Sequence, residues 1–284
     1  MILPKRIQNT AAVARHYDEL DRFYREVWGE HVHHGYWTTG RETPTEAAEA
    51  LVAHLATRLD LAPGQHLGDI GCGYGAPARF LAQRFGVRVT GLTISPVQAA
   101  LAQAALVYSA VGQVEVRLQD WLRNDFPDAC FDRLYAIESS EHMPDKDRFF
   151  AEAFRTLKPG GLLAINAWLA GDRPRRWEIR HLLEPICREG RLPGMGDEAD
   201  YRAMATSTGF DVVAVEDLTR SVRRTWSICV RRVLRGLVTD PRYGRFLLDT
   251  GAQNRVFALT MLRIMLAYRT GAMRYALLLF RRPA

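Results

Sequence analysis

Short apolar runs alternate with amphipathic stretches through the middle of the chain, and no other feature narrows the choice of fold as much. HLGDIG at 66–71, VRVTGLTI at 87–94, VEVRLQD at 114–120, FDRLYAIE at 131–138 and GLLAINAW at 161–168 have the length and composition of strands. Between them APARFLAQRFG at 76–86, SPVQAALAQAALVYSA at 95–110 and DKDRFFAEAFRTL at 145–157 have helical spacing. Strands separated by helices make βαβ units, and these build an α/β fold with a mainly parallel sheet covered by helices on both faces. Two further strand candidates follow, FDVVAVEDLT at 210–219 and MRYALLLFRR at 273–282. The segments between them, VRRTWSICVRRVLRGLV and NRVFALTMLRIMLAYRTG, read as helices. The predicted organisation is an N-terminal segment over 1–44, a core over 45–219, a helical cap inserted over 220–272 and a last core strand over 273–284. TEAAEALVAHLATRLD, starting at Thr45, reads as the helix that opens the core, with a threonine cap before Glu46.

A chain of 284 residues that is 48% apolar can bury a core of its own. Cys72, Cys130, Cys187 and Cys229 lie far apart with no C-x-x-C pair, which suits a reducing compartment better than a disulfide framework or a zinc site, so a cytoplasmic location is expected. The N-terminal MILPKRIQNT lacks the unbroken apolar run of a signal peptide, and no run reaches spanning length without an arginine.

The net charge of +6 raises the question of nucleic acid, but the excess is local. Eleven arginines face only Asp240 and Asp249 across 220–271, interleaved with aliphatic side chains rather than with glycine and stacking aromatics. Nucleic acid is therefore not an expected partner. Such an insertion can lie on an anionic membrane, wrap an apolar chain while arginines hold a phosphate, or simply pack on the sheet with its arginines in water. Peripheral membrane contact and homodimer formation both stay open.

The first strand runs into DIGCGYG, with Gly71, Gly73 and Gly75 in alternate positions ahead of a helix. Glycines there allow a tight turn and a close backbone approach, and the helix N-terminus favours a polar or anionic group. A nucleotide-like ligand belongs at that crevice. The spacing is neither the G-x-G-x-x-G of a dinucleotide fold nor the G-x-x-x-x-G-K of a nucleoside triphosphate site. A second concentration of chemistry is YAIESSEHMPD, where a buried strand ends in Glu138, Glu141 and His142. Two close carboxylates oppose each other's ionisation and raise one of the two toward the range of a useful base. Glu141 and His142 could equally cap or orient the helix that follows.

Five motifs in order and at matching spacing resemble the class I S-adenosylmethionine-dependent methyltransferases: DIGCGYG at 69–75, VTGLTISPVQ at 89–98, LQDW at 118–121, IESSEHM at 137–143 and LKPGG at 157–161. Within them the chain is similar to the gamma-tocopherol methyltransferase group and plant alkaloid N-methyltransferases, and more distantly to cyclopropane fatty acid synthases and sterol methyltransferases. The resemblance implies a Rossmann-like sheet, S-adenosyl-L-methionine as cofactor with S-adenosyl-L-homocysteine as product, and a hydrophobic small molecule, aromatic, prenylated or terpenoid, as acceptor. It places Asp69, Gly71, Cys72, Gly73 and Gly75 at the methionine part of the cofactor and Asp120 with Trp121 at the adenine.

Many methyltransferases end the second strand in an acid that binds the ribose; here Thr93 stands there, and with Gln98 it matches the hydroxyl and amide pair of the cyclopropane synthases. Such a pair can hydrogen-bond a diol, more weakly than a carboxylate does, and Thr93 also suits a plain approach to a helix cap. The E-x-x-E-H pattern of the alkaloid enzymes maps a glutamate and a histidine at the acceptor onto Glu138 and His142. Glu138 also borders the expected cofactor site, and Glu141 is the third catalytic candidate.

The N-terminal segment matches a lid in these families, with Tyr17, Tyr36 and Trp37 at positions that touch the cofactor or close the acceptor pocket; aromatic rings suit a sulfonium. His31, His33 and His34 lack the partners and spacing of a preorganised metal site, so no metal is expected. The cyclopropane synthases carry a cysteine of a bicarbonate site where His34 stands, which favours simple methyl transfer over cyclopropanation. Trp168 reads as a pocket wall or as plain core. The remaining alternatives are a cyclopropane-type lipid-modifying enzyme and an RNA-binding methyltransferase, the latter without the N/D-P-P-Y/F tetrad of base N-methyltransferases.

Overall fold

The computed structural model describes residues 1–106, 113–249 and 257–284. Seven strands form one sheet: β1 (His66–Ile70), β2 (Arg88–Thr93), β3 (Gln113–Leu118), β4 (Phe131–Ile137), β5 (Leu157–Ala170), β6 (Asp211–Asp217) and β7 (Met273–Arg281). Their order is β3-β2-β1-β4-β5-β7-β6. Neighbours from β3 to β5 run parallel, and β7 lies antiparallel to both β5 and β6. All seven strands were expected, and α/β with a Rossmann-like sheet is the observed class.

Helices cover both faces. One side chain set, Leu67, Tyr135, Ile137, Ala164, Tyr275 and Leu277, meets α2 (Pro44–Leu59) and α3 (Ala76–Phe85). The opposite set, Ile70, Leu134, Leu163, Ile165 and Leu278, meets Phe149, Phe150 and Ala153 of α5 (Lys146–Thr156) and Tyr201 and Ala205 of α8 (Glu198–Thr208). That alternation is the period-two pattern of a sheet buried on both sides. Between α3 and α5 lies α4 (Pro96–Ala105), against which the N-terminal helix α1 (Thr10–Val27) packs. The helix expected to reach residue 110 is described to Ala105, and 107–112 lie outside the described residues.

The opening core helix begins at Pro44 rather than Thr45. Thr43 is its cap: the hydroxyl accepts from the Glu46 amide while the Glu46 carboxylate reaches back, and proline at the first turn needs no hydrogen-bond partner.

Between β5 and β6 the sequence reading left a gap that the structure fills with helix: α6 (Arg176–Glu178), a π-helical turn (Ile179–Leu183) and α7 (Glu184–Glu189) run on continuously. Between β6 and β7 stand α9 (Thr219–Val222), α10 (Arg224–Thr239), α11 (Pro241–Leu248) and α12 (Phe257–Thr270). Trp226 and Cys229 of α10 and Met261, Ile264 and Ala267 of α12 join the same core as α2 and α3, so these helices sit on that face of the sheet.

The loops after β1 and β4 leave adjacent strands at the same edge, the topological position at which ligands bind in such sheets. The Ser139 hydroxyl donates to the Ile70 carbonyl and ties the two loops together.

Candidate active site

Gly71, Gly73 and Gly75 have φ of +84°, +54° and +70°, the left-handed region that favours glycine. They differ in what surrounds them. A Cβ on Gly71 would lie 2.4 Å from the Ser139 Cβ, whereas one on Gly73 would meet nothing nearer than the Gln98 Nε2 at 3.9 Å. Gly71 therefore lets two protein loops close, and Gly73 leaves room in a cleft. That cleft, about 720 Å³ with solvent at its mouth included, is lined by Gly71, Gly73, Thr93, Gln98, Asp120, Trp121, Glu138 and His142, with Tyr17 from α1.

At the end of β2 the Thr93 hydroxyl donates to the Gln98 Oε1 at 2.9 Å, both side chains buried. Ser95 caps α4 through the Gln98 amide, which fixes where Gln98 starts. The Asp120 Oδ1 accepts from the Leu122 amide, and the Trp121 indole donates to the Phe149 carbonyl. The cleft thus has a glycine cradle at one end and hydroxyl, amide and carboxylate groups along its wall, which fits a ligand with a polar amino acid portion and a ribose diol.

Five residues expected at the cofactor are not on the wall of this cleft. The Asp69 carboxylate accepts the Tyr135 hydroxyl at 2.8 Å beneath it, and burial, opposed by that bond, pushes it up to about 7. Cys72 packs on Ala102 and Val116, and Gly75 is the cap residue of α3. Tyr36 stacks on His54 with ring centroids 4.9 Å apart, and the Trp37 indole donates to the Thr225 hydroxyl at 3.1 Å. These two aromatics tie the N-terminal segment to α2 and to α10. Tyr17, Gly71, Gly73, Thr93, Gln98, Asp120, Trp121 and Glu138 do line the cleft.

A second cavity, about 480 Å³ with solvent at its mouth included, adjoins the first and shares Tyr17, Val32, Glu138 and His142 with it. Its other walls are Tyr24, Trp28, Glu141, Trp168, Gly190, Leu192 and Trp226, largely apolar. Trp168 is a wall.

Glu138 leaves β4 with φ of +52°, uncommon for a side chain with a Cβ, and its amide is held by the Asn166 carbonyl at 2.8 Å. Its Oε1 accepts from the His34 amide at 2.7 Å, the His34 Nδ1 at 2.9 Å and the Tyr275 hydroxyl at 2.8 Å. Its Oε2 accepts the Trp168 indole at 2.8 Å. Burial alone would raise this carboxyl, but the His34 ring and amide, with His33, hold it down to about 2.

Glu141 takes the opposite course. Its Oε1 accepts the Trp168 amide and its Oε2 the Ser140 hydroxyl, and burial, more than the charge of Glu138, raises it to about 7. The expectation of a split pair is met, with the cause mainly desolvation. Glu138 is not the raised member.

The His142 Nδ1 faces the Arg191 carbonyl at 3.4 Å, which can only accept, so the proton belongs on Nδ1. Nε2 then accepts the Tyr17 hydroxyl at 2.9 Å. Burial lowers His142 to about 4, and burial with the charges of Glu141 and Glu138 keeps the Tyr17 phenol well above its ordinary range.

The His34 Nε2 accepts the Trp226 indole at 2.6 Å, and the Tyr268 hydroxyl lies 3.3 Å away, so one imidazole joins Glu138 to α10 and α12. His31 and His33 hydrogen-bond each other at 3.1 Å. Tyr275 and the 190–192 turn were not anticipated at the site; nothing local marks them, because they reach it from the last strand and the unread helical segment, whereas Trp226 belongs to the insertion that was expected to cap the acceptor pocket.

A family model described as mycolic acid cyclopropane synthetase matches residues 4–235. The chain belongs to the mycolic acid cyclopropane synthetase family. Two curated relatives extend this membership. Chloroplastic tocopherol O-methyltransferase of Arabidopsis thaliana is 30% identical, the match covering 95% of this chain and 82% of the relative. The 27-O-demethylrifamycin SV methyltransferase of Amycolatopsis mediterranei is 34% identical over 78% of this chain and 81% of its own. Among solved structures, mycolic acid cyclopropane synthase CmaA1 complexed with SAH and CTAB has a TM-score of 0.83 at 24% identity, covering 98% of this chain and 99% of its own, a likeness of fold. This member of the family is an S-adenosylmethionine-dependent methyltransferase, as the sequence motifs implied. No described helix is long and apolar enough to cross a membrane.

Proposed function

We propose that the chain methylates a hydrophobic small molecule held in the second cavity, using the first for its cofactor. Bound S-adenosylmethionine supplies an electrophilic methyl group on a sulfonium. The observation that carries the reading is the shared wall: Tyr17, Val32, Glu138 and His142 border both cavities, and the second is lined by Trp28, Trp168, Leu192 and Trp226. Methyl transfer asks the protein for alignment and exclusion of water, and an aromatic box serves both. The cleft residues suit the cofactor: Gly71 and Gly73 for its methionine part, Thr93 with Gln98 for the ribose and Asp120 with Trp121 for the adenine.

In this reading Glu138, with four protein donors, keeps a fixed negative charge at the junction and abstracts no proton. His142 is neutral and takes the proton that the acceptor loses, through the Tyr17 hydroxyl on its Nε2. Two of the relatives are named for methyl transfer involving tocopherol and 27-O-demethylrifamycin SV, which supports a small organic molecule as acceptor. His34, where cyclopropane synthases carry a cysteine, already occupies the Glu138 carboxylate, which favours simple methyl transfer over cyclopropanation.

Incubation with methyl-labelled cofactor and a panel of prenylated phenols, terpenoids and hydrophobic amines, read by mass spectrometry, tests the proposal. Label in at least one apolar acceptor, reduced by Trp226→Ala in a protein that still binds cofactor, supports it. Label confined to RNA or to phospholipid acyl chains contradicts it.

A further inference from the structure

The cap helices have two faces, and only the inner ones are accounted for by the site. Thr225, Trp226 and Cys229 of α10 and Met261, Ile264, Ala267 and Tyr268 of α12 are buried. The outer faces expose Leu234 at 57% and Val238 at 87% on α10, and Leu259, Leu262 and Leu266 at 49%, 52% and 43% on α12. The spacing of 259, 262 and 266 is a single helical stripe, and α10 packs beside α12. With Leu237 and Leu248, seven of the thirteen exposed large apolar side chains among the described residues lie on these three adjoining helices, too many together for ordinary scatter.

α10 and α12 themselves carry arginines and no acid. Arg231, Arg235 and Arg269 are exposed and make no ion pair among the described residues. Of the acids in and near the cap, Asp240 pairs with Arg242, Glu189 with Arg263 and Arg188, and Asp217 with Arg274. Leucines alone would suit a second copy of this chain. Leucines edged by unpaired guanidinium groups are complementary to an apolar layer bordered by phosphates.

We propose that the outer faces of α10 and α12 dock on an anionic lipid bilayer, the leucines entering the headgroup boundary and Arg231, Arg235 and Arg269 meeting lipid phosphates. Trp226, on the inner face of the same α10, lines the acceptor cavity, so docking would set that cavity directly behind the lipid surface. The docking itself does not depend on which acceptor the site uses.

Co-sedimentation of the whole protein with vesicles of phosphatidylcholine alone, and of phosphatidylcholine mixed with phosphatidylglycerol, reads the proposal at low and high salt. Binding to the mixed vesicles only, falling as salt rises, is expected. Arg231→Gln with Arg235→Gln should weaken it about 30-fold, at about 1 kcal/mol per cation near an anionic surface. Leu262→Gln with Leu266→Gln should weaken it by at least about tenfold, given the burial energy of a leucine. Both double variants should retain the wild-type circular dichroism spectrum and cofactor affinity. The proposal is overturned if the intact protein ignores anionic vesicles at low salt, if both double variants bind as the wild type does, or if the leucine pair instead dissociates a dimer that has no affinity for lipid.

Discussion

Glu138 carries two costs, a left-handed backbone and a buried charge, and both are met by groups from distant parts of the chain. A glutamine carbonyl can keep the three donors on Oε1, but its NH₂ then faces the Trp168 indole, which loses its acceptor. A donor left unpaired costs about 1–3 kcal/mol, so Glu138→Gln should lower unfolding stability in urea by about that much; a change within about 0.5 kcal/mol would show that the donors do not depend on the charge. His142 gives a pH prediction. Burial lowers its pKa from 6.5 to about 4, so the neutral form is present above 6.5 and lost only as pH falls through about 4. The acid limb of kcat/KM that depends on this group should be centred near 4; a limb near 6.5 that vanishes in His142→Gln would contradict the assignment. The sequence placed Glu138, Glu141 and His142 together at a strand end. It could not show how their charges divide, because the donors that decide it, His34, Trp168 and Tyr275, lie far away along the chain and meet only in the folded sheet.

At the scale of elements, the glycine loop separates structural from ligand roles. Gly71→Ala would drive a Cβ to 2.4 Å from Ser139 at a φ of +84°, so it should destabilise the fold and shift the loop that bears Glu138. Gly73→Ala faces open space, with only the cost of a left-handed residue, about 1–2 kcal/mol. It should leave a folded protein whose cofactor affinity is reduced because the methyl projects into the cleft. Thermal melts and calorimetry of the two variants check this; equal loss of affinity with equal loss of stability would mean the two positions do the same work. The strands were legible because buried β-strands advertise themselves as short apolar runs between turn residues. The helical segment over 176–189 was not: RWEIRHLLEPICRE mixes charges with apolar residues around Pro185, and its π-helical turn at Ile179–Leu183 departs from the period that marks an α-helix. Tyr36 and Trp37 show the limit of carrying positions over by motif, since their rings are held by His54 and Thr225 away from the cleft.

Over the whole molecule, two buried carboxyls make stability depend on pH near neutrality. Asp69 and Glu141 both rise to about 7 from 3.8 and 4.5, so the fold favours their protonated forms. Their stabilisation is full below the ordinary values and is lost as pH rises through 7. In the cofactor-free protein, unfolding free energy should fall by about 1 kcal/mol per group between pH 6.5 and about pH 8, and Asp69→Asn, which can still accept from Tyr135, should remove about half of that slope. An unchanged slope in Asp69→Asn would assign the effect to other groups. The cap and the core meet through His34, which joins the Glu138 carboxylate to Trp226 and lies near Tyr268, so the two cavities are one unit with a common wall. The most direct test of that arrangement pairs calorimetric cofactor affinity with single-turnover methyl transfer to a responding acceptor for His142→Gln. The account predicts an affinity within about twofold of the wild type and transfer slowed by about 10²–10⁴-fold, the range for a lost general base. Collapse of cofactor affinity with undiminished transfer at saturating cofactor would contradict it.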